Sequence, residues 1–179
     1  MLKLFAVLLG GRIQGCNIEL HDVVFVISDS IKNAQANIIK KWFGDTKRLH
    51  IDSSIELSHV DGHKITLRKE KPLNTQKRLY FVNFGGYKKD FFGEVHQMNF
   101  YVCDSSTQAR ERAKKELCRT CLQQHCDDNL DIQQTISSDV DDIIELITVD
   151  KYYLHFEPTT ECCQLPIISQ YRRLDTSID

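Results

Sequence analysis

Leu4-Phe5-Ala6-Val7-Leu8-Leu9-Gly10-Gly11, then Glu19-Leu20-His21-Asp22-Val23-Val24-Phe25 and Asp29-Ser30, returns further along the chain. The second version reads Leu79-Tyr80-Phe81-Val82-Asn83-Phe84-Gly85-Gly86, Glu94-Val95-His96-Gln97-Met98-Asn99-Phe100 and Asp104-Ser105. Residues 4–30 align with 79–105 without a gap, and nine of those 27 positions are identical. Chance would give about two at ordinary amino-acid frequencies. Self-similarity of this kind marks a duplicated supersecondary unit. After the helix the match resumes weakly: Leu49 and Ile51 meet Leu130 and Ile132 across a six-residue insertion, and Val60-Asp61 meets Val140-Asp141 after a one-residue deletion.

Each unit reads as two strands, a helix and two more strands. Residues 3–9 form an apolar strand, and Gly10-Gly11 is read as the turn that ends it, since glycine tolerates positive φ. The same reading applies to Gly85-Gly86. Alternation over about 19–28 places Glu19, His21, Val23, Phe25 and Ile27 on one strand face. Asp29 or Ser30 then caps a helix with Ile31, Ala34, Ile38 and Trp42 at helical spacing and Gly44 as its stop. Strands near 48–58 and 63–69 flank Asp61-Gly62, a strong hairpin signal. In the second unit Ala109, Ala113, Leu117 and Cys121 carry a longer helix over about 105–125. The expected fold is therefore α+β: two tandem pseudo-symmetric ββαββ repeats, mostly antiparallel sheet with one main helix each. The boundaries fall at 1–75 and 76–157, with 158–179 an extended, partly packed C-terminal tail that frays at its end.

Composition narrows the function. The 179 residues are 41% apolar and 27% charged, with a formal net charge of −2. Such a chain buries a core rather than staying disordered. Its basic clusters, Arg68-Lys69, Lys77-Arg78 and Lys88-Lys89, are short, so no nucleic-acid partner is expected. The apolar start at Leu4–Leu9 looks like a secretory signal, but its copy at Leu79–Phe84 makes both strands. No apolar run reaches the length of a membrane span. Seven cysteines at irregular spacings fit reduced thiols in a cytoplasmic protein.

Gly10-Gly11, Asn17-Ile18-Glu19-Leu20-His21-Asp22-Val23-Val24-Phe25-Val26, Trp42-Phe43-Gly44, Leu49-His50-Ile51-Asp52-Ser53 and Val60-Asp61-Gly62 together resemble the bacterial domain-of-unknown-function family numbered 1543. The resemblance spans most of the first unit and reaches the second through Gly85-Gly86, Glu94, His96 and Phe100. It implies a protein of one or two copies and carries no activity.

The candidate ligand-binding residues are Glu19 and His21, their copies Glu94 and His96, and the glycines Gly10, Gly11, Gly85 and Gly86. Glu and His two apart on a strand share a face, and imidazole with carboxylate suits zinc or manganese or acid–base chemistry. The plain alternative is a Glu–His hydrogen bond at a strand end. His50, Trp42 and Phe43 read as packing and strand residues. Two-histidine phosphoesterases also carry one histidine per repeat, but Val23 and Met98 stand where those enzymes need a hydroxyl. Cys118-x-x-Cys121 with His125-Cys126 has zinc-ligand composition, yet Phe43 replaces Cys118 in the first unit and Cys162-Cys163 would have to fold back. The glycines lack the helix and lysine of a phosphate loop, and there is no nucleophile elbow. No catalytic residue, metal set or cofactor is assigned. Two readings remain: a non-catalytic binding or protein-interaction module, whose partner is a protein, a small molecule or a second copy of the chain, or a small enzyme or metal-binding protein using the paired Glu-x-His motifs at the repeat interface.

Overall fold

The computed structural model describes residues 1–73, 76–132, 152–161 and 166–174. Val140-Asp141 and Cys162-Cys163 lie outside the described residues. In chain order the elements are β1 (Lys3–Arg12), β2 (Leu20–Ser28), α1 (Gln35–Lys41), β3 (Asp45–Glu56), β4 (His59–Val60), β5 (His63–Arg68), β6 (Arg78–Tyr87), β7 (Glu94–Cys103), α2 (Ser106–Glu116), β8 (Leu122–Asp131), β9 (Tyr153–Pro158) and β10 (Ile167–Arg173). The class is α+β: mostly antiparallel sheet, with two helices among the described residues and two repeated segments. No helix among the described residues is long and apolar enough to cross a membrane.

The chain forms two compact units, Met1–His59 with Cys162–Asp179, and Val60–Glu161. In the first, the sheet order is β10-β3-β1-β2. Phe5, Val7 and Leu9 alternate onto the buried face of β1, where they meet Val24, Val26, Leu49 and Ile51 and are covered by Ala34, Ile38 and Trp42. In the second, the order β7-β6-β8 repeats that of β2-β1-β3. Tyr80, Val82 and Phe84 of β6 pack with Tyr101, Ala109 and Ala113. The buried alanines let α2 approach the sheet closely.

Four expectations need correction. Gly10-Gly11 and Gly85-Gly86 are not turns: β1 and β6 run through them, and the positive-φ glycines are Gly15, Gly62 and Gly93. The second helix stops at Glu116 rather than near 125, because Leu117 is extended and Cys118 takes φ 49°. Asp61 and Gly62, at φ 53° and 72°, do make a tight turn. That turn leads from β4 into β5, which pairs with β9 and not with β3. The edge of β3 is instead taken by β10, with Ile167 opposite Ile55 and Arg173 opposite His50.

The segment expected to be an extended, partly packed tail is thus more ordered than that, an edge strand of the first sheet; its last residues, 175–179, lie outside the described residues. The strand's residues are exposed, but Leu174, immediately after it, is only 2% exposed and belongs to the first core. Its backbone N–H donates to the Leu49 carbonyl at 2.9 Å. Leu174→Ala should therefore cost about 2 kcal/mol, the low end for a buried leucine because the exposed edge strand beside it can relax. Urea unfolding measures it; no loss would mean that β10 is only loosely attached.

In the second unit Asp61 accepts the backbone N–H of Val102 at 3.0 Å and both terminal nitrogens of Arg112, one at 2.8 Å. Arg112 also stacks over the Tyr101 ring, 5.0 Å from its centroid. Burial opposes the Asp61 charge, but the Arg112 and Val102 bonds outweigh it and hold its carboxyl below the usual range. A depressed folded-state pKa contributes stability that is present above the unfolded value and lost as pH falls through the folded one. Asp61→Asn tolerates the left-handed backbone and should cost about 2 kcal/mol at neutral pH, the worth of charge-assisted bonds. The variant should also lose part of the stability decline of the parent below about pH 4, a comparison that parallel acid titrations make directly.

Candidate functional site

In an antiparallel ladder, residues directly opposite each other share a face. Gly10 of β1 stands opposite His21 of β2 and His50 of β3. Three neighbouring strands therefore present two imidazoles across a position with no side chain. Glu19, two residues before His21, and Asp52, two after His50, add carboxylates. Opposite Leu8 and Leu9 the β3 register skips from Ser53 to Ile51, leaving Asp52 as the bulged residue. Bulges re-aim side chains in this way.

The result is a four-residue cluster. His21 Nε2 lies 3.5 Å from Glu19 and 3.2 Å from Asp52. His50 Nε2 lies 3.4 Å from Glu19 and 3.3 Å from Asp52. Gly10 is the floor: a Cβ there would stand 2.5 Å from His50 Nε2 and 2.9 Å from Asp52 Oδ2. Gly11 faces the other way, where a Cβ would meet the Trp42 indole at 2.6 Å. The paired glycines thus serve two close approaches, one on each face.

The second unit repeats the arrangement. Gly85 stands opposite His96 and His125. His96 Nε2 is 3.4 Å from Glu94 and 3.2 Å from Asp127, and His125 Nε2 is 2.7 Å from Glu94 and 3.0 Å from Asp127. Asp127 is the bulged residue, between Asp128 and Cys126 in the ladder. A Cβ on Gly85 would meet Asp127 Oδ2 at 2.5 Å and Glu94 Oε1 at 2.8 Å.

The third-strand histidines are also oriented from behind. Nδ1 of His50 pairs with the Arg48 carbonyl at 2.8 Å, and Nδ1 of His125 with the Gln123 carbonyl at 3.0 Å. Since a carbonyl only accepts, Nδ1 carries the proton and a neutral ring turns its Nε2 lone pair into the cluster. Arg48 and Gln123 hold left-handed backbones, φ 73° and 49°, a conformation that costs a non-glycine residue roughly 1 kcal/mol. The same strained geometry at the same place in both units fixes the ring that needs fixing. The Gln123 carbonyl, and then the Asp127 and Glu94 charges, push the His125 pKa up. A cation entering that cluster must displace the proton.

Two carboxylate oxygens, Asp52 Oδ2 and Glu94 Oε1, are buried without a hydrogen-bond donor. One belongs to each cluster. His50 is itself 3% exposed, its ring 4.4 Å from that of Tyr171 on β10; His125 is open, with Tyr87 at 6.1 Å.

The Glu-x-His pairs singled out from sequence therefore each acquire a His-x-Asp partner from the third strand of their own sheet. His50, read as a strand residue, and His125, grouped with cysteines, are the residues that reading missed. Cys118, Cys121 and Cys126 pack with the second core on the other face of the sheet, and His125 turns away from them into its cluster. The missed signal was present: His50 and His125, like Asp52 and Asp127, keep the same spacing as Glu19 and Glu94. The six-residue insertion is not needed.

The chain is similar over 98% of its length to a protein, Il1583, from Idiomarina loihiensis, whose crystal structure it covers to 99% with a TM-score of 0.68 and 32% sequence identity. No curated protein matches it. The family model for a domain of unknown function, DUF1543, matches residues 16–67 and 92–141. Those two segments contain all eight clustered side chains, and the chain belongs to the DUF1543 family, with the family's unit present twice.

Proposed function

We propose that the protein binds a divalent transition-metal ion at each of two quasi-equivalent sites, Glu19/His21/His50/Asp52 and Glu94/His96/His125/Asp127. The observation that carries this reading is the orphaned pair of buried oxygens, Asp52 Oδ2 and Glu94 Oε1. Each faces an imidazole nitrogen, Asp52 Oδ2 at 3.2 Å from His21 Nε2 and Glu94 Oε1 at 2.7 Å from His125 Nε2, without making a well-directed hydrogen bond to it. A buried acceptor without a donor costs free energy, and a cation removes that cost.

Geometry supports the same reading. Ligands about 2.0–2.1 Å from a tetrahedral ion lie about 3.3 Å from one another, and those of an octahedral ion about 2.9 Å. The first cluster has nitrogen–oxygen separations of 3.2 to 3.5 Å, with His21 facing Asp52 Oδ2 and His50 facing Asp52 Oδ1, so its side chains must draw together to share one ion. The second has separations from 2.7 to 3.4 Å, and Glu94, His125 and Asp127 each offer an atom within 4.8 Å of the other two, which makes it the better formed of the two. Two imidazoles with two carboxylates match zinc, manganese or iron(II). A binding role that uses these side chains is preferred to the interaction-module reading, which has no comparable feature behind it. The finer architecture, two ββαββ copies at 1–75 and 76–157 with β5 and β9 as the last described strand of each, belongs to the same proposal.

The test is native mass spectrometry of chelator-stripped protein titrated with zinc. Two ions per chain are expected, and none when His21 and His96 are both alanine. A parent chain that takes up no ion, or a double variant that still takes up two, overturns the reading.

A further inference from the structure

The second core holds a feature that the first lacks. Cys118 and Cys121 follow α2, and the Cys121 N–H donates to the Cys118 carbonyl at 2.8 Å. That bond closes a four-residue turn, which keeps the first and fourth Cα atoms within about 7 Å. A disulfide needs about 4.4–6.8 Å. The Cys118 thiol is buried and donates to the Phe84 carbonyl at 3.2 Å, with the Val95 carbonyl at 3.7 Å. Burial, and next the hydrogen-bonded Cys121 thiol, push the Cys118 pKa up. Cys121 is half-buried and fills the space over Gly86, its Cβ 2.6 Å from where a Gly86 side chain would begin. Trp42 fills the matching space over Gly11 in the first unit.

We propose that Cys118 and Cys121 form a thiol–disulfide redox site whose oxidation loosens the backbone beneath the second cluster. The oxidant is a low-molecular-weight disulfide. The more accessible Cys121 thiolate attacks one of its sulfurs, forming a mixed disulfide and releasing one thiolate. Cys118, deprotonated in turn, attacks Cys121 Sγ and expels the second thiolate. The two protons lost by the cysteines end on the two released thiols, and the two electrons reduce the oxidant. The Cys118 S–H no longer exists, so the Phe84 and Val95 carbonyls lose a donor. These residues immediately precede Gly85 and His96, the floor and one wall of the cluster.

The experiment incubates the intact chain with excess oxidised glutathione, alkylates the remaining thiols and maps disulfides by peptide mass. A link between Cys118 and Cys121 is expected, with Cys121→Ser giving no disulfide at Cys118. Both thiols alkylated in the parent, or a link to other cysteines, overturns the redox site. Amide hydrogen exchange on the oxidised and reduced chains then reads the consequence. Exchange in peptides covering Phe84–Tyr87 and Val95–Gln97 should quicken on the order of fivefold, the loss of a hydrogen bond, while residues 9–12 and 20–22 stay unchanged. Equal exchange at both places removes the coupling. Neither readout needs a bound ion, so failure of the metal reading leaves this proposal decided separately.

Discussion

His21→Ala should leave the chain with one metal ion instead of two, and its affinity at the first site should fall more than about 100-fold. Changes to groups that only orient a ligand cost 10–100-fold, and His21 supplies a donor atom itself. His21 is half-exposed and fills no core space, so the folded chain should retain its thermal midpoint without metal. His50→Ala should abolish the same site and also cost about 2 kcal/mol, because His50 is 3% exposed and packs against Tyr171. His96→Ala and His125→Ala should empty only the second site. Zinc titration by mass or calorimetry on the four single variants makes the comparison. Loss of both ions from any one of them would mean that the sites are not independent, and unaltered uptake in His21→Ala would remove that residue from the coordination sphere.

The adjacent glycines should separate binding from stability. Gly10→Ala puts a methyl group 2.5 Å from His50 Nε2 and 2.9 Å from Asp52 Oδ2, so the donors must spread and the first site should lose its ion. The apoprotein should lose about 1–2 kcal/mol, because buried His50, tied to the Arg48 carbonyl, must shift, while the lower entropy of an unfolded alanine offsets part of the cost. Gly11→Ala instead strikes the Trp42 indole at 2.6 Å, whose Nε1 is tied to the Asp45 carbonyl at 3.1 Å. Overpacking a core group held from two sides should cost about 2–3 kcal/mol, and ion stoichiometry should survive in the folded fraction. Thermal melts with and without metal read both effects. A Gly10→Ala protein that binds normally would show that the Gly10 floor is not needed for binding.

Much of the fold was legible because the repeat and the alternation of β1, β2, β6 and β7 are written in apolar residues. What failed had particular causes. The stripe Ala109, Ala113, Leu117, Cys121 continues helical spacing past the end of α2, and the stop signal was the charge of Lys114 and Lys115 in the last turn rather than a glycine. Aligning Leu49 and Ile51 with Leu130 and Ile132 gave weight to hydrophobicity over spacing and hid His50 and Asp52. The third strand of each sheet is bulged, so its periodicity is broken where the ligand-type residues stand. The glycines were assigned to turns because sequence does not distinguish a residue chosen for its φ from one chosen for its missing Cβ. The exchange by which β10 completes the first sheet depends on long-range pairing, which local pattern does not encode.

That exchange has a kinetic side. The unit containing Val60–Glu161 is continuous, whereas the other is made from the two ends of the chain. During synthesis the ribosome delivers residues 1–59 first, but β3 must wait for a strand more than a hundred residues downstream, since Ile55 pairs with Ile167. Closing so long a loop is slow. The inserted unit has its own core and can mature first, while the nascent first sheet carries the open edge of β3 that other chains can pair with. Refolding yield should therefore be limited by docking of the carboxyl-terminal strand, and crowded expression should punish its loss more than its modest contribution to equilibrium stability implies.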